Sequence, residues 1–370
     1  MLIQLAITGL LVAMLPLAIV WVSRDTDKYR KLAWVTLFLT FDLIMFGAFT
    51  RLTDSGLGCP DWPGCYGQAN PLQAHEHISA AEAAMPTGPV TVLKAWIEMI
   101  HRYLAMSVGV LIIALMVIAW RAWLKSGRRD RRFAPLLPTL LFGFVCLQGA
   151  FGAWTVTLKL QPVIVTTHLL LGMTLMALLT WFAARQANHE PIAGQALNLR
   201  LPAAVLLILL AIQIALGGWV STNYAALACT DFPLCHGNFV PEMDFSNGFT
   251  LWRHLGRTAA GEYLPFPALT AIHWTHRNFA FIVAAFVAWV GHKALRVDGL
   301  QRTGKWLLVV AGVQLATGIS TVFLKWPLAL AVAHNGGAAL LLLLAVMLNY
   351  KARIPADRSA ERAVSTLSAA

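Results

Sequence analysis

Charged residues are scarce in this chain. They make up 12% of its 370 residues, and only 17 residues are acidic. A soluble domain carries about 25% charged residues, so the composition excludes an ordinary water-soluble fold. Hydrophobic residues, at 58%, take their place, and they gather in runs of about 20, the length that crosses a bilayer core. The predicted spans cover residues 2–23, 31–50, 92–120, 134–155, 162–185, 200–222, 267–293, 303–324 and 327–350.

The first run lacks two features of a secretory signal peptide, the basic start and the small-residue cleavage site. We therefore interpret it as an extra N-terminal membrane span. Together with the basic cytoplasmic loop that follows, this span occupies residues 1–30.

The net charge of +11 indicates topology and not nucleic-acid binding. Of the 28 lysines and arginines, 20 fall in alternate connections between the runs, which is the positive-inside pattern of cytoplasmic loops. The long loops at about residues 51–91 and 222–266 then face outward, and they hold four of the five cysteines. The outer side of a bacterial inner membrane is oxidising, so these four are disulfide candidates. Cys146 lies in a span and is expected to be a small buried residue.

One motif occurs in both outer loops. The segments Cys59–Gly67 and Cys229–Gly237 both read Cys-x-Asp-aromatic-Pro-x-Cys-x-Gly, 170 residues apart. Such a repeat indicates duplicated structural units. Other residues recur at similar spacings: His101-Arg102 and His276-Arg277, then Gln148, Gly152 and His168 with Gln314, Gly318 and His334.

The cysteines of each motif are close enough in sequence to close a small ring. Turns that contain proline bring their ends together, which favours the local pairs Cys59–Cys65 and Cys229–Cys235. Pairing between the two loops stays open at this point, because sequence alone does not fix disulfide connectivity.

The repeat predicts the fold class. Each half has four spans, an even number, so both halves enter the membrane in the same orientation. We expect an all-α integral membrane protein with two tandem, pseudo-symmetric four-helix bundles, at residues 31–190 and 191–350, and a disordered cytoplasmic tail at 351–370. The symmetry axis runs along the membrane normal. This parallel repeat argues against the inverted repeats common in secondary transporters, although a parallel-repeat transporter stays open.

Four histidines lie inside the spans at matching depths. His101 and His168 are each roughly 10–14 Å from the outer end of their spans, at 1.5 Å per residue, and His276 and His334 repeat these depths. Two imidazoles from different helices at one level are how a four-helix bundle holds haem, since haem iron accepts one on each face. For a single histidine, a hydrogen-bonded core or proton-relay role is the alternative. Zinc is disfavoured because a structural site needs four ligands.

Charged neighbours of these histidines are candidates for the rest of the sites. Arg102 and Arg277 each follow a histidine directly and are predicted to bind haem propionates; snorkelling to the interface is the alternative. Glu98 stands three residues before His101, on nearly the same helix face, whereas the second half has His273 there. A carboxyl in the apolar layer is costly and usually functional. Alternatively, Glu98 is solvated near the interface or pairs with Arg102.

The chain resembles the haem A synthase family in a combination of motifs that spans about residues 31–350. They are TRLTDSGLGCPDWP at 50–63, EMIHR at 98–102, HR at 276–277 and AHN at 333–335. The combination is specific, whereas no single motif would be. The extra N-terminal span departs from the eight spans usual in the family, and the stretch with His75 and His77 is also unusual; these two are expected to be surface residues.

The resemblance implies that the C8 methyl group of haem O is converted to a formyl group by successive oxidations, giving haem A, with water as the oxygen source in the favoured scheme. The residues alone leave two routes open: one histidine leaves the iron so that O2 can bind, or the ring is oxidised and water attacks the methyl group. The resemblance implies that His101 and His168 hold the substrate iron, and that His276 and His334 hold a haem b that relays electrons. Glu98 would be catalytic, and the cysteine pairs would serve redox or haem-transfer steps.

The resemblance also implies a location and partners. The protein would lie in a bacterial inner membrane or its mitochondrial equivalent, with the cysteine loops outside. A haem O synthase and an electron donor would be its partners, and homo-oligomerisation stays open.

Other functions stay open from the residues alone. A di-haem b-type cytochrome that oxidises quinol explains both histidine pairs, but not a carboxyl on one side only or the cysteine loops. A haem carrier or assembly factor explains the loops, but not two permanent ligands per site. A transporter explains only the spans and the repeat.

Overall fold

The computed structural model describes residues 1–354, and within that range the chain is helical, without a β-strand. Its α-helices are, in chain order, α1 (Leu2–Val22), α2 (Lys28–Leu52), α3 (His75–Ala84), α4 (Val92–Lys125), α5 (Leu136–Thr157), α6 (Pro162–Gln186), α7 (Arg200–Thr222), α8 (Phe245–Gly248), α9 (Phe266–Leu295), α10 (Gln301–Phe323) and α11 (Leu328–Lys351).

Among the described residues, nine helices are long and apolar enough to cross a membrane. The two others, α3 and α8, lie in the outer loops. The predicted all-α fold with nine spans is thus confirmed, the first run included. Several helices run past the apolar segments that predicted them: α4 has 34 residues and ends at Lys125. Its last residues include tryptophans and basic residues, which suit the membrane–water interface.

Side-chain caps mark the beginning of two of the spans. The Asp27 carboxylate accepts the N–H of Arg30 at 3.0 Å at the start of α2. The Thr91 hydroxyl accepts the N–H of Lys94 at 3.2 Å at the start of α4. Such caps satisfy N–H groups that the first turn leaves unpaired. Because α4 begins at Val92, residues 98–102 lie about two turns into the helix.

The first compact unit consists of Met1–Gln186, Ser221–Asn223 and Phe249–Leu264. In it, α2 packs against α4 and α6, and α5 packs against the same two helices. These contacts close a ring of four spans, which is compatible with the predicted four-helix bundle.

The extra helix α1 lies against α4 and α2 of this ring. Gly9 allows a close approach, since a Cβ there would lie 3.0 Å from the Cβ of Met106. Leu5 belongs to the same buried cluster as Cys59 and Cys65. The extra span therefore also supports the first outer loop.

The second compact unit consists of Ala187–Val220, Tyr224–Gly248 and the described chain from Pro265 onward. One buried cluster draws residues from α7, α9, α10 and α11, and α10 packs along both α9 and α11. This packing is compatible with a second four-helix bundle.

The backbone repeats as the sequence does. Residues other than glycine rarely adopt positive φ, so their recurrence at the repeat spacing is a sign of shared structure. Such residues occur in pairs 170 or 166 positions apart: Asp54 and Tyr224, Tyr66 and His236, Lys159 and Lys325, and Leu160 and Trp326.

Cys146 was expected to be buried, and this is wrong: it is a free, exposed cysteine on α5, because that face of the span is not covered within the structure and an apolar thiol suits a lipid-facing position. The disordered tail was expected from residue 351, but α11 includes Lys351, and residues 355–370 lie outside the described range. His75 and His77 are exposed on α3.

Candidate functional site

Each of the four span histidines faces a glycine on a neighbouring helix. A Cβ on Gly47 of α2 would lie 3.1 Å from Nε2 of His101 on α4. A Cβ on Gly152 of α5 would lie 3.2 Å from Cε1 of His168 on α6. Each imidazole therefore occupies space that a side chain at the glycine position would fill.

The second unit repeats this arrangement. A Cβ on Gly217 of α7 would lie 3.0 Å from Cε1 of His276 on α9, and one on Gly318 of α10 would lie 3.0 Å from Cε1 of His334 on α11. In each unit the two histidines stand on different helices of the same compact unit. The predicted pairs thus each fall within one unit.

Glutamines bind the helices that carry three of these histidines. Gln148 donates to the carbonyl of His168 at 3.1 Å, and Gln314 donates to that of His334 at 2.9 Å. Gln213 lies 3.2 Å from the carbonyl of His276 and 3.1 Å from its Nδ1.

The imidazoles of the two units differ in their ring hydrogen bonds. Nδ1 of His334 lies 3.0 Å from the hydroxyl of Thr317, and its Nε2 lies 3.3 Å from Nε2 of Gln314. Within residues 1–354, no hydrogen bond reaches the ring of His101, which stacks on Phe46 with centroids 6.4 Å apart.

The residues present fit a haem in each unit. Nδ1 of His168 is buried without a hydrogen-bond partner in the described part of the chain, as are the Oε1 atoms of Gln148, Gln213 and Gln314. Buried polar atoms are normally paired, so these orphans indicate an incomplete site. Paired imidazoles held in glycine-lined spaces are the donor set that haem iron takes.

Glu98 is held by two partners. It is only 4% exposed, its Oε2 accepts the backbone N–H of Cys59 at 2.8 Å, and its Oε1 forms an ion pair with Arg102. Solvation near the interface is therefore wrong, while the predicted alternative of pairing with Arg102 is present. The equivalent His273 accepts the backbone N–H of Cys229 on Nδ1 at 3.2 Å.

Arg102 also binds the first cysteine ring. It donates to the carbonyls of Asp61 at 3.0 Å, Pro63 at 3.2 Å and Gly64 at 2.5 Å. These contacts and the ion pair engage both of its Nη atoms. Arg102, which was predicted to bind a haem propionate, thus holds the outer loop in place through these hydrogen bonds.

Arg277 binds the second ring in the same way. It donates to the carbonyls of Asp231 at 2.8 Å and Leu234 at 2.9 Å. The arginine after each histidine therefore fastens the outer loop of its own half to the helix that carries that histidine.

The repeated cysteine motif folds into a small ring in both loops. Cys59 is bonded to Cys65, and Cys229 to Cys235. The Asp61 carboxylate accepts the N–H groups of Tyr66 at 2.6 Å and Gly67 at 2.8 Å. Gly67 has a φ of +70°, a conformation that favours glycine.

Asp231 plays the same part in the second ring. It accepts the N–H groups of His236 at 2.8 Å and Gly237 at 2.9 Å. These bonds, that of Gly237 first, hold the pKa of Asp231 below its ordinary value of 3.8. The aspartate and glycine of the motif are therefore explained by the turn that they form.

Sequence reasoning missed several of these residues. Gly47 and Gly217 stand 170 positions apart, so the repeat spacing could have identified them. Gln213 and Thr317 have no counterpart of the same type in the first half, and the repeat therefore gave no signal for them.

The chain is similar to known proteins over most of its length. A family described as cytochrome oxidase assembly protein matches residues 30–346. The haem A synthase of Shewanella oneidensis is 40% identical over 328 residues, 86% of this chain and 96% of the relative. That of Bradyrhizobium diazoefficiens is 28% identical over 366 residues, 92% and 96% of the two chains. That of Sinorhizobium medicae is 30% identical over 341 residues, 86% and 88%.

Proposed function

The chain belongs to the family of cytochrome oxidase assembly proteins that includes the haem A synthases. We propose that its two halves bind different haems, the substrate in one half and haem b in the other. The chain is a membrane oxidoreductase that converts haem O to haem A.

We assign the substrate to the first half, residues 31–190, and haem b to the second, residues 191–350. The observation that carries this assignment is the difference between Glu98 and His273, which accept equivalent backbone N–H groups. The lone pair on Nδ1 of His273 accepts that hydrogen bond, so it is not available to accept a proton from the substrate. A carboxylate keeps further lone pairs after two bonds, and it can still accept a proton.

The iron ligands follow from the paired imidazoles. His101 and His168 would hold haem O, and His276 and His334 would hold haem b. When bound, haem b supplies one-electron transfer between the substrate and an external redox partner. The glycine beside each ring leaves room for the imidazole, and the adjacent helix fixes the direction from which it approaches.

Conversion of a methyl to a formyl group with water as the oxygen source releases four protons and four electrons. We take water as the source because two imidazoles leave O2 no free position on the iron. Glu98 would accept protons at its carboxylate as water attacks the oxidised methyl carbon. The Cys59 N–H and Arg102 orient that carboxylate. Arg102 and Arg277 would also place positive charge near the propionates while they hold the rings.

The location follows from the charges. Twenty basic residues in alternate connections support cytoplasmic loops on one side and cysteine rings on the outer side, in a bacterial inner membrane or its mitochondrial equivalent. A haem O synthase would deliver the substrate.

Co-expression with a source of haem O tests the function. We expect chromatography of the extracted haems to show haem A only when the intact chain is present, and the purified protein to contain haem b. Unchanged haem O together with two haem b groups per chain would instead favour a di-haem cytochrome.

A further inference from the structure

We infer that hydrogen bonds to the ring nitrogens distinguish a persistent haem site in the second unit from an exchangeable one in the first. The inference rests on the proposed function, in which the second unit keeps its haem and the first must release its product. It identifies Gln213 and Thr317 as positioning residues for the ligands His276 and His334.

Thr317 completes the ring of His334. Its hydroxyl donates to the carbonyl of Gln314 at 3.0 Å, so a lone pair remains for Nδ1 of His334, also 3.0 Å away. A neutral histidine that binds iron through Nε2 carries its proton on Nδ1. The threonine oxygen accepts the hydrogen bond of that proton and selects the tautomer that an iron ligand requires.

Gln213 holds the ring of His276 in a different way. Its amide nitrogen lies 3.1 Å from Nδ1 of the ring and 3.2 Å from the carbonyl of the same residue. One side chain thus links the imidazole to the backbone of its own helix and fixes the direction of the ring. Both second-unit ligands therefore have a polar partner at Nδ1.

The equivalent positions in the first unit are apolar. Leu43 stands four residues before the glycine that faces its histidine, as Gln213 does. Phe151 stands directly before the other such glycine, as Thr317 does. In keeping with this, Nδ1 of His168 is buried without a partner among residues 1–354.

The difference is confined to the rings. Gln148 donates to the carbonyl of His168 just as Gln314 donates to that of His334. The helix backbones are therefore held alike in both units. Within the described part of the chain, the first unit lacks a hydrogen-bond partner for Nδ1 of His168 and for the ring of His101.

A hydrogen bond to the second ring nitrogen fixes the orientation of a metal-bound histidine and makes it a stronger donor, and its loss lowers metal affinity about 10- to 100-fold. A resident electron-transfer haem benefits from this restraint. A substrate haem that must bind and then leave does not, because each turnover would require the restrained ligands to release it.

The test compares haem loss from purified full-length variants to excess apomyoglobin, followed optically. We expect Gln213→Leu and Thr317→Val each to accelerate loss of haem b about 10- to 100-fold. Thr317→Val should also raise its midpoint potential, because His334 without this acceptor becomes a weaker donor. Conversely, Leu43→Gln and Phe151→Thr should slow the release of haem from the first unit. These gain-of-restraint variants keep the test valid if the losses impair folding.

Unchanged rates and potentials in all four variants, with haem b still bound, would overturn the inference and leave the proposed function intact. Failure of the proposed function looks different: a wild-type haem b spectrum that persists in both His276→Ala and His334→Ala. The two failures are therefore distinguished by which variants change.

Discussion

The backbone N–H of Cys59 donates to the carboxylate of Glu98 at 2.8 Å. Since Cys59 is bonded to Cys65, the proposed catalytic carboxylate is attached directly to a disulfide ring. Arg102 joins both, through its ion pair with Glu98 and its bonds to ring carbonyls. Ring, carboxylate and arginine form one structural unit, one helical turn from a proposed iron ligand.

The first prediction concerns Glu98. Glu98→Gln should fold and retain haem, because the amide oxygen can still accept the Cys59 N–H, yet haem A formation should fall about 10²- to 10⁴-fold, as for loss of a general base. Glu98→Ala should lose haem A as well. The measurement is the haem composition of membranes that co-express a haem O source.

The control for this experiment is His273→Gln at the equivalent position, which should leave the first-unit site intact. Normal haem A yield in both Glu98 variants would exclude an essential catalytic role. Loss of all bound haem would show that the carboxylate acts only as a structural partner of Arg102.

The second prediction concerns the haem b ligands. His276→Ala or His334→Ala should remove or convert the low-spin b-type spectrum, because one iron face loses its imidazole. Optical spectra of the purified reduced protein measure this. An unchanged spectrum in both variants would contradict the assignment.

The third prediction concerns the glycine beside His334. Gly318→Ala should displace the imidazole, since the new Cβ would lie 3.0 Å from Cε1, and should lower haem b content and cost about 1–3 kcal/mol of stability. Gly312→Ala on the same helix is the matched control, because its Cβ would meet nothing within 4 Å. Equal haem content in both variants would refute the steric argument.

The fourth prediction is a pH dependence. The pKa of Asp231 is lowered by hydrogen bonds from Gly237 and His236, so the carboxylate stabilises the ring above its ordinary pKa of 3.8 and this stabilisation is lost as the pH falls through the lower, folded value. Amide hydrogen exchange at Gly237 should speed up on acidification, beyond the intrinsic change. Asp231→Asn should abolish this excess, and an identical profile in both proteins would speak against it.

The fifth prediction is local disulfide pairing. Peptide mapping under non-reducing conditions should join Cys59 to Cys65 and Cys229 to Cys235. A peptide linking Cys59 to Cys229 or Cys235 would contradict the pairing.

Much of the fold could be predicted because each membrane span depends only on the composition of its own segment. An apolar run of about 20 residues requires a helix in a bilayer, so the nine spans and the repeat of Gly152 and Gly318 were evident from the sequence. The exposure of Cys146 was not, since apolar residues in a span face either protein or lipid and composition does not distinguish the two.

The site was predictable in its ligands but not in its supports. His101 and Glu98 could be placed on one face by helical spacing alone. The partners of Arg102 lie about 40 residues away in a loop whose turn depends on Asp61, and no periodicity reports such contacts. Gln213 and Thr317 were missed because each contacts its histidine from a neighbouring helix, and spacing along the chain does not predict such contacts.

Part of the first compact unit is synthesised late. Ser221–Asn223 and Phe249–Leu264 belong to that unit although they follow Gln186 in the chain, and the buried Arg253, 3% exposed, bonds to Asn223 there. Because the ribosome produces the chain from its N-terminus, the first bundle can insert early but cannot complete its packing until Leu264 has emerged. A gene divided between the halves would yield a first fragment without these segments, so the duplicated halves are not independent modules during biogenesis.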